Sequence, residues 1–134
     1  MTSQPPSARI YKNAWFAKFA RKEKIEDTTL VEAIRNAETG LIDADLGGGV
    51  IKQRVARPGA GKSGGYRTII LFKAQDRAVF VYGFAKNDKA NLGPEELKEY
   101  RLAAGFVLGL TEAQIAVQVE TGKWVEVTSD DEDL

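Results

Sequence analysis

The sequence predicts one domain of mixed class, in which helical segments lie before and after a central block of β-strands. Apolar side chains recur at helical spacing before residue 40 and again after residue 93, whereas residues 50–84 are rich in β-branched and aromatic residues. The 134 residues also fit the size of a single domain. We assign residues 1–128 to that domain, and the acidic residues 129–134 to a tail that does not pack.

The domain is predicted to begin with a short strand and a helix. The strand covers residues 8–12, and the helix covers residues 13–23, whose apolar face is an aromatic stripe. The stripe consists of Trp15, Phe16 and Phe19. Because such a stripe is more often core than ligand site, we expect the helix to bury it.

A second helix is predicted after Asp27. Thr28 or Thr29 can cap it, Thr29 and Glu32 have the spacing of a capping box, and Gly40 is a typical residue at which a helix ends. The run Gly47–Gly49 then interrupts the pattern before the strands begin.

The block of strands is predicted to contain a strand at residues 50–57, a flexible glycine-rich loop at 58–65, and a hairpin. The hairpin pairs residues 66–73 with residues 77–84 across a short turn. Both of its strands are largely apolar on both faces in the middle. They are therefore expected to be central strands that helices cover on at least one side.

Two more helices and a strand are predicted to complete the domain. Gly93 and Pro94 begin the first of these helices, which has acidic residues in its first turn. Thr111 and Gln114 have the spacing of a capping box for the second helix. Residues 124–127 are predicted to form an edge strand.

The composition restricts the possible chemistry. The chain contains neither cysteine nor histidine, which excludes disulfides, thiolate nucleophiles and catalytic Ser-His or Cys-His pairs. Any catalysis must therefore use lysine, arginine, tyrosine or carboxylates. The first residues lack the apolar core of a signal peptide and the apolar runs are short, so we expect a cytoplasmic protein without membrane contact.

The charges are sorted along the chain although their sum is zero. Residues 50–89 hold nine basic and two acidic side chains, a net charge of +7. Residues 90–134 hold three basic and ten acidic side chains, a net charge of −7. A basic zone is the usual footprint of a polyanionic ligand, and a merely solvated surface is the alternative explanation.

Several blocks of the sequence resemble a known family. The run IKQRVARPGAGKSGGYRTIILF (residues 51–72) and the run AVFVYGFAKND (residues 78–88) are similar to the central sheet of the RelE/ParE superfamily of toxins, in particular to a RelE-like subfamily. LIDADLGGG before the sheet also fits, so the resemblance covers most of the chain. It implies an α+β fold in which N-terminal helices pack on a curved, mainly antiparallel sheet with C-terminal helices.

The resemblance also implies an activity. RelE-type toxins cleave mRNA in the ribosomal A site without a metal ion or other cofactor. The 2′-hydroxyl attacks its own 3′ phosphate and leaves a 2′,3′-cyclic phosphate and a 5′-hydroxyl. The implied partners are the ribosome, mRNA and a cognate antitoxin, which we expect to be a helix-turn-helix protein.

Four cations are the candidate catalytic residues. In-line attack builds negative charge on the phosphate and leaving oxygens, so a metal-free enzyme needs fixed cations and a group that takes a proton. Arg67, at the start of a central strand, is the first choice for bidentate phosphate contact. Lys52 and Arg54 match basic positions of the family on one face of the neighbouring strand, and Lys86 follows the third strand. Lys52 or Lys86 is the candidate base, since a lysine crowded by arginines holds its proton less tightly.

The candidate RNA-binding residues are Arg57, Lys62, Tyr66 and Asn87. Arg57 directly precedes the glycine-rich loop and Lys62 lies within it, and the ring of Tyr66 offers a surface on which a base can stack. Tyr82 and Phe84 offer the same chemistry, but aromatic residues at strand spacing are more often core. Asn87 stands where better-known RelE toxins carry an arginine, and the tyrosine that follows in those toxins has no counterpart here. The general base is therefore open.

Two alternative functions share this fold. A ParE-like protein poisons DNA gyrase without cleaving RNA, and a non-catalytic module would only bind RNA or protein. The cation cluster on adjacent strands favours the nuclease.

Overall fold

The computed structural model describes residues 6–57, 61–85 and 92–128. These residues form six strands and four helices. The strands are β1 (Arg9–Asn13), β2 (Ala44–Gly47), β3 (Val50–Arg57), β4 (Gly61–Lys73), β5 (Arg77–Ala85) and β6 (Trp124–Val127). The helices are α1 (Ala14–Glu23), α2 (Asp27–Glu38), α3 (Pro94–Val107) and α4 (Glu112–Glu120).

The strands form one mixed sheet in the order β2-β3-β4-β5-β1-β6. β1 pairs with β5 in parallel, and every other described pair is antiparallel. The predicted hairpin strands β4 and β5 are central, and β6 is an edge strand beside β1, as the sequence predicted. The α+β fold is thereby confirmed.

Helices cover both faces of the sheet, and each face has its own apolar core. On the α1/α2 face, Phe16 and Leu30 pack with strand residues such as Phe80, and all three are fully buried. On the α3/α4 face, Ala104 and Ile115 pack with strand residues such as Ile69. The sheet is therefore the middle layer of three, which explains why its central strands are apolar on both sides.

The start of α2 differs from the prediction. The helix begins at Asp27 with Glu26 as its N-cap residue, and no side chain caps it. Thr29 lies inside the first turn, and its backbone N–H donates to the carbonyl of Glu26 at 3.0 Å. The side chain of Glu32 forms an ion pair with Arg35 instead. The predicted Thr29/Glu32 capping box is therefore wrong, because the helix starts earlier in the chain than that box requires.

The start of α4 agrees with the prediction. The Thr111 backbone N–H donates to Gln114 Oε1 at 2.8 Å, and the Gln114 N–H donates to Thr111 Oγ1 at 3.2 Å. The expected capping box is thus confirmed.

The glycine run at residues 47–49 forms the turn between β2 and β3, and β2 is a strand that the sequence did not predict. All three glycines have positive φ angles, which residues with a side chain rarely adopt. A Cβ added at Gly49 would lie 2.8 Å from Cδ1 of Leu108. The run therefore allows both the turn and the close approach of the end of α3.

The predicted loop at residues 58–65 is largely a strand. β4 begins at Gly61, and Arg57 of β3 pairs with Gly61. Gly65 lies so close to β3 that an added Cβ would approach the carbonyl oxygen of Val55 at 2.8 Å. The glycines thus allow β3 and β4 to pair closely. Arg67, which was predicted at the start of a strand, lies well inside β4.

Arg77 connects the two C-terminal helices to the sheet. Its Nη1 donates to the carbonyls of Val107 and Leu110 at 2.9 and 3.0 Å, and its Nη2 pairs with Glu112 at 3.1 Å. The side chain of Arg77 is 5% exposed. A buried guanidinium therefore satisfies carbonyls at the end of α3 and meets the first residue of α4.

No single helix in the described part of the chain is long and apolar enough to cross a membrane. Helices α3 and α4 reach that length and composition only together, across a bend of 113°.

Candidate functional site

Three of the candidate cations lie side by side on one face of the sheet. Lys52 and Arg54 are two residues apart in β3, so their side chains leave the same face. Arg54 lies directly opposite Arg67 of β4. Side chains directly opposite each other on antiparallel strands lie about 5 Å apart at Cβ. We call Lys52, Arg54 and Arg67 the basic patch.

The basic patch lies at one end of the α3/α4 face. Within β3, Val50 is fully buried beneath α3, Lys52 is half-buried and Arg54 is exposed. Within β4, Leu71 is buried and the side chain of Arg67 is 19% exposed. Exposure thus increases along both strands toward the cations, and Arg54 is the most exposed of the three, whereas the Arg67 side chain is still mostly buried.

Asp43 holds Arg67 in place. The distance from Arg67 Nε to Asp43 Oδ2 is 3.5 Å. The backbone N–H of Asp43 donates to Oε1 of Gln53 at 2.9 Å, and Gln53 is almost fully buried. Since the pair uses Nε, both terminal nitrogens of Arg67 remain without a hydrogen-bond partner among the described residues. Nothing in the spacing of LIDAD distinguished Asp43, because the contact crosses from the segment before β2 to β4.

Gln53 is itself anchored on the opposite side of the sheet. Its Nε2 donates to the carbonyls of Ala33 and Leu41 at 3.0 and 2.9 Å. This buried amide ties α2 and the segment after it to β3 and thereby fixes the position from which Asp43 reaches Arg67.

Two aromatic residues of β5 lie in the same cross-strand rows of directly opposite residues as the cations of β3 and β4. Phe84 lies opposite Arg67, and Tyr82 lies opposite Ile69, which in turn lies opposite Lys52. Phe84 is 5% exposed, so its predicted place in the core is confirmed, whereas Tyr82 is only half-buried.

Tyr66 does not join the basic patch. It precedes Arg67 by one residue, and successive side chains of a strand point to opposite faces. Its ring is 2% exposed on the α1/α2 face, and its hydroxyl donates to Oε1 of Glu23 at 2.6 Å. The ring has no open face for a base, so we exclude Tyr66 from the site. The alternation of the strand was the sequence signal that already separated it from Arg67.

The aromatic stripe of α1 divides between core and surface. Phe16 is fully buried and Phe19 packs beside the core, whereas Trp15 is 46% exposed. The Trp15 ring contacts Tyr82 at a centroid distance of 4.7 Å. The prediction that the helix buries all three rings is therefore wrong for Trp15, nearly half of which is exposed.

Tyr100 of α3 lies near Tyr82. Burial raises the pKa of Tyr100 to about 12, and Tyr82, Glu96 and Glu99 add to the shift. Its phenol therefore stays protonated over the physiological range and can donate a hydrogen bond.

The remaining candidates fall at the limits of the described structure. Lys86 and Asn87 lie outside the described residues. Arg57 and Lys62 belong to the paired ends of β3 and β4, but their side chains also lie outside the described part of the chain. Among the described residues, no three carboxylates come together in a way that could hold a metal ion.

Fold and site together define a small α+β protein with a row of cations across the strands of its central sheet. A family model described as the RelE toxin of the RelE / RelB toxin-antitoxin system matches residues 8–127. The chain therefore belongs to the RelE toxin family. It is the toxin of a toxin–antitoxin system, and an antitoxin is its partner. No curated protein matches the chain.

Proposed function

We propose that the protein is a cytoplasmic endoribonuclease that cleaves mRNA on the ribosome, and that its basic patch binds the scissile phosphate. The observation that carries the proposal is the pairing of Arg54 with Arg67 across two strands, beside Lys52. An α+β toxin that only bound a protein partner would not need three adjacent cations on a partly covered sheet face.

The proposed chemistry is attack by a 2′-hydroxyl on its adjacent 3′ phosphate. The bond from phosphorus to the 5′ oxygen breaks, which leaves a 2′,3′-cyclic phosphate and a 5′-hydroxyl. One group takes the proton of the 2′-hydroxyl, and another returns a proton to the leaving oxygen. Lys52 and Lys86 are the proposed candidates for the base.

Arg67 and Arg54 are proposed to stabilise the charge that develops on the phosphate oxygens. A guanidinium with two open terminal nitrogens can bind two of these oxygens at once. Because Asp43 already orients Arg67, little reorganisation is needed when the charge develops, and such preorganisation is the main source of electrostatic catalysis.

The other contacts are assigned by their place in the chain. Arg57, Lys62 and Asn87 are proposed to contact RNA beyond the scissile phosphate. The antitoxin is proposed to be a helix-turn-helix protein. The reaction is proposed to need no metal ion or cofactor, because the basic patch supplies the positive charge that a metal would otherwise provide.

The test is in vitro translation with mapping of new mRNA 5′ ends. We expect the protein to produce discrete ends carrying 5′-hydroxyls, and we expect the Arg67→Ala variant to produce about 100- to 1000-fold fewer of them. Lys73→Ala is the matched control, because Lys73 lies on the same face of β4 at its other end and is 61% exposed.

The metal-free mechanism is tested separately with free protein and a model RNA, at a protein concentration high enough that cleavage without the ribosome is measurable. Cleavage should persist in EDTA, and loss of cleavage that manganese restores would overturn it. If no new 5′ ends form while the purified protein inhibits supercoiling by gyrase, the nuclease proposal fails in favour of the gyrase poison.

A further inference from the structure

Trp15 is an exposed aromatic ring that the fold holds in one orientation. It lies in the first turn of α1 and is 46% exposed. Its ring stacks on Phe19 at a centroid distance of 5.3 Å and an interplanar angle of 15°, and it contacts Tyr82 at 4.7 Å. A ring fixed by two neighbours loses little conformational entropy when a planar ligand stacks on it.

Trp15 lies at the end of a row that begins in the basic patch. Lys52, Ile69 and Tyr82 are opposite one another across β3, β4 and β5. Adjacent strands are about 4.8 Å apart, so Lys52 and Tyr82 are about 10 Å apart along this row. The row therefore has a cation at one end and a pair of aromatic rings, Tyr82 and Trp15, at the other.

This combination fits single-stranded nucleic acid. Its phosphates bind cations, and its unpaired bases stack on aromatic side chains. We infer that Trp15 stacks on a base of single-stranded RNA whose backbone lies on the basic patch. The inference rests on the proposed function, since it names a contact to the same substrate. Because every base has a π-face, this contact should depend on the presence of a base more than on its identity.

The first test reads Trp15 directly. The chain has two tryptophans, and Trp124→Phe leaves Trp15 as the only one while retaining an aromatic ring next to Tyr11. The probe is a short oligoadenylate with methylated 2′-hydroxyls, which cannot be cleaved by 2′-hydroxyl attack. We expect it to quench Trp15 fluorescence, whereas an abasic oligomer with the same phosphates should bind more weakly and cause no quenching.

The second test compares affinities for the same oligoadenylate by fluorescence anisotropy at low salt. Trp15→Ala and Trp15→Leu should weaken binding about tenfold, and Trp15→Tyr should retain most of it. Trp15→Leu separates loss of the π-face from loss of apolar volume.

Phe106→Ala is the matched control for these variants. Phe106 is an aromatic of α3 with 72% exposure. It is next to Val107, whose carbonyl binds Arg77 at the far end of β5 from Tyr82. Its removal should leave affinity unchanged.

Three outcomes would overturn the inference: equal affinity of Trp15→Leu and the parent, binding of oligoadenylate without quenching, or no binding of oligoadenylate at all. None of them decides whether mRNA is cleaved on the ribosome, which 5′-end mapping measures independently. Conversely, base-dependent quenching without any cleavage would uphold the RNA contact and reject the nuclease.

Discussion

At the residue scale, Arg67 is the candidate whose role in cleavage a substitution can test most directly. Its Nε is paired with Asp43, and its side chain is 19% exposed at the end of the α3/α4 core. No described hydrogen bond joins its terminal nitrogens to the fold, so Arg67→Ala removes the packing of the side-chain stem and the ion pair with Asp43 but no other described polar contact. Its contribution should instead come when negative charge develops on a bound phosphate.

We predict that Arg67→Ala reduces cleavage by a factor of about 100 to 1000, the usual effect of losing one preorganised donor to a transition state. Arg67→Lys should be intermediate, because a lysine keeps the charge but loses the bidentate geometry. Growth inhibition at matched expression and the yield of mapped 5′ ends measure the effect. Lys73→Ala should match the parent, and full toxicity of Arg67→Ala would refute the assignment.

Tyr100 gives a prediction for alkaline pH. Burial raises the pKa of Tyr100 from 10.0 to about 12, so the folded protein keeps this proton where the unfolded chain has lost it. The resulting stability is fully present below pH 10 and is lost as the pH rises toward about 12. Because solvent still reaches part of the ring, we expect a loss on the order of 1 kcal/mol.

The Tyr100→Phe variant isolates this effect, because phenylalanine has no proton to lose. Its free energy of unfolding should fall less than that of the parent between pH 10 and pH 12. Denaturant unfolding at several pH values measures the difference. Parallel curves for the two proteins would show that Tyr100 titrates normally.

At the scale of elements, Arg77 joins α3, α4 and the sheet. Its side chain, which is 5% exposed, donates hydrogen bonds to the carbonyls of Val107 and Leu110 and forms an ion pair with Glu112. We predict that Arg77→Met lowers the free energy of unfolding by about 2–4 kcal/mol, because buried carbonyls lose their donor. Denaturant unfolding measures the loss, and hydrogen exchange should locate it in α3 and α4.

Glu112→Gln is the matched control for Arg77. The Glu112 side chain is 69% exposed, and ion pairs with such an exposed partner contribute at most about 1 kcal/mol. The control should therefore cost far less than Arg77→Met. Equal losses in the two variants would mean that the ion pair, and not the bonds to the helix carbonyls, holds the elements together.

At the scale of the whole molecule, a chain with a net charge of zero contains two consecutive segments of opposite net charge. Residues 50–89 have a net charge of +7 and residues 90–134 a net charge of −7. If the basic zone contacts RNA phosphates, ribosome binding must weaken as salt rises, because each contact releases condensed counterions. The net charge of the whole chain, which is zero, gives no indication of this salt dependence.

We predict that Arg57→Ala and Lys62→Ala each weaken ribosome binding and reduce the slope of log affinity against log salt by about 0.7 for each phosphate that is no longer bound. Lys52→Ala should instead slow cleavage on bound ribosomes, since Lys52 is proposed to act in the transition state, as a base or as a cation. Single-turnover cleavage at rising ribosome concentration separates the two classes, because only the first is rescued by excess ribosome. Unchanged affinity and slope for both Arg57 and Lys62 variants would reduce the basic zone to a solvated surface.

The sequence by itself determined most of the elements and the limits on the chemistry. Helix and strand periods are local properties, as is the Thr111/Gln114 capping box, so they could be read without knowing the fold. The absence of histidine and cysteine restricts catalysis to other groups whatever the fold. The two-residue spacing of Lys52 and Arg54 likewise predicts that both side chains leave the same face of a strand, whichever strand lies beside it.

Only the tertiary structure decided which residues meet across elements. The pairing of Arg54 with Arg67 depends on strand register, which turns and bulges set, and the ion pair with Asp43 depends on the path of the chain before β2. The exposure of Trp15 depends on how α1 packs against the sheet. Helical spacing shows which residues share a face but not which of them the sheet covers. These are long-range packing properties, and no local period in the sequence encodes them.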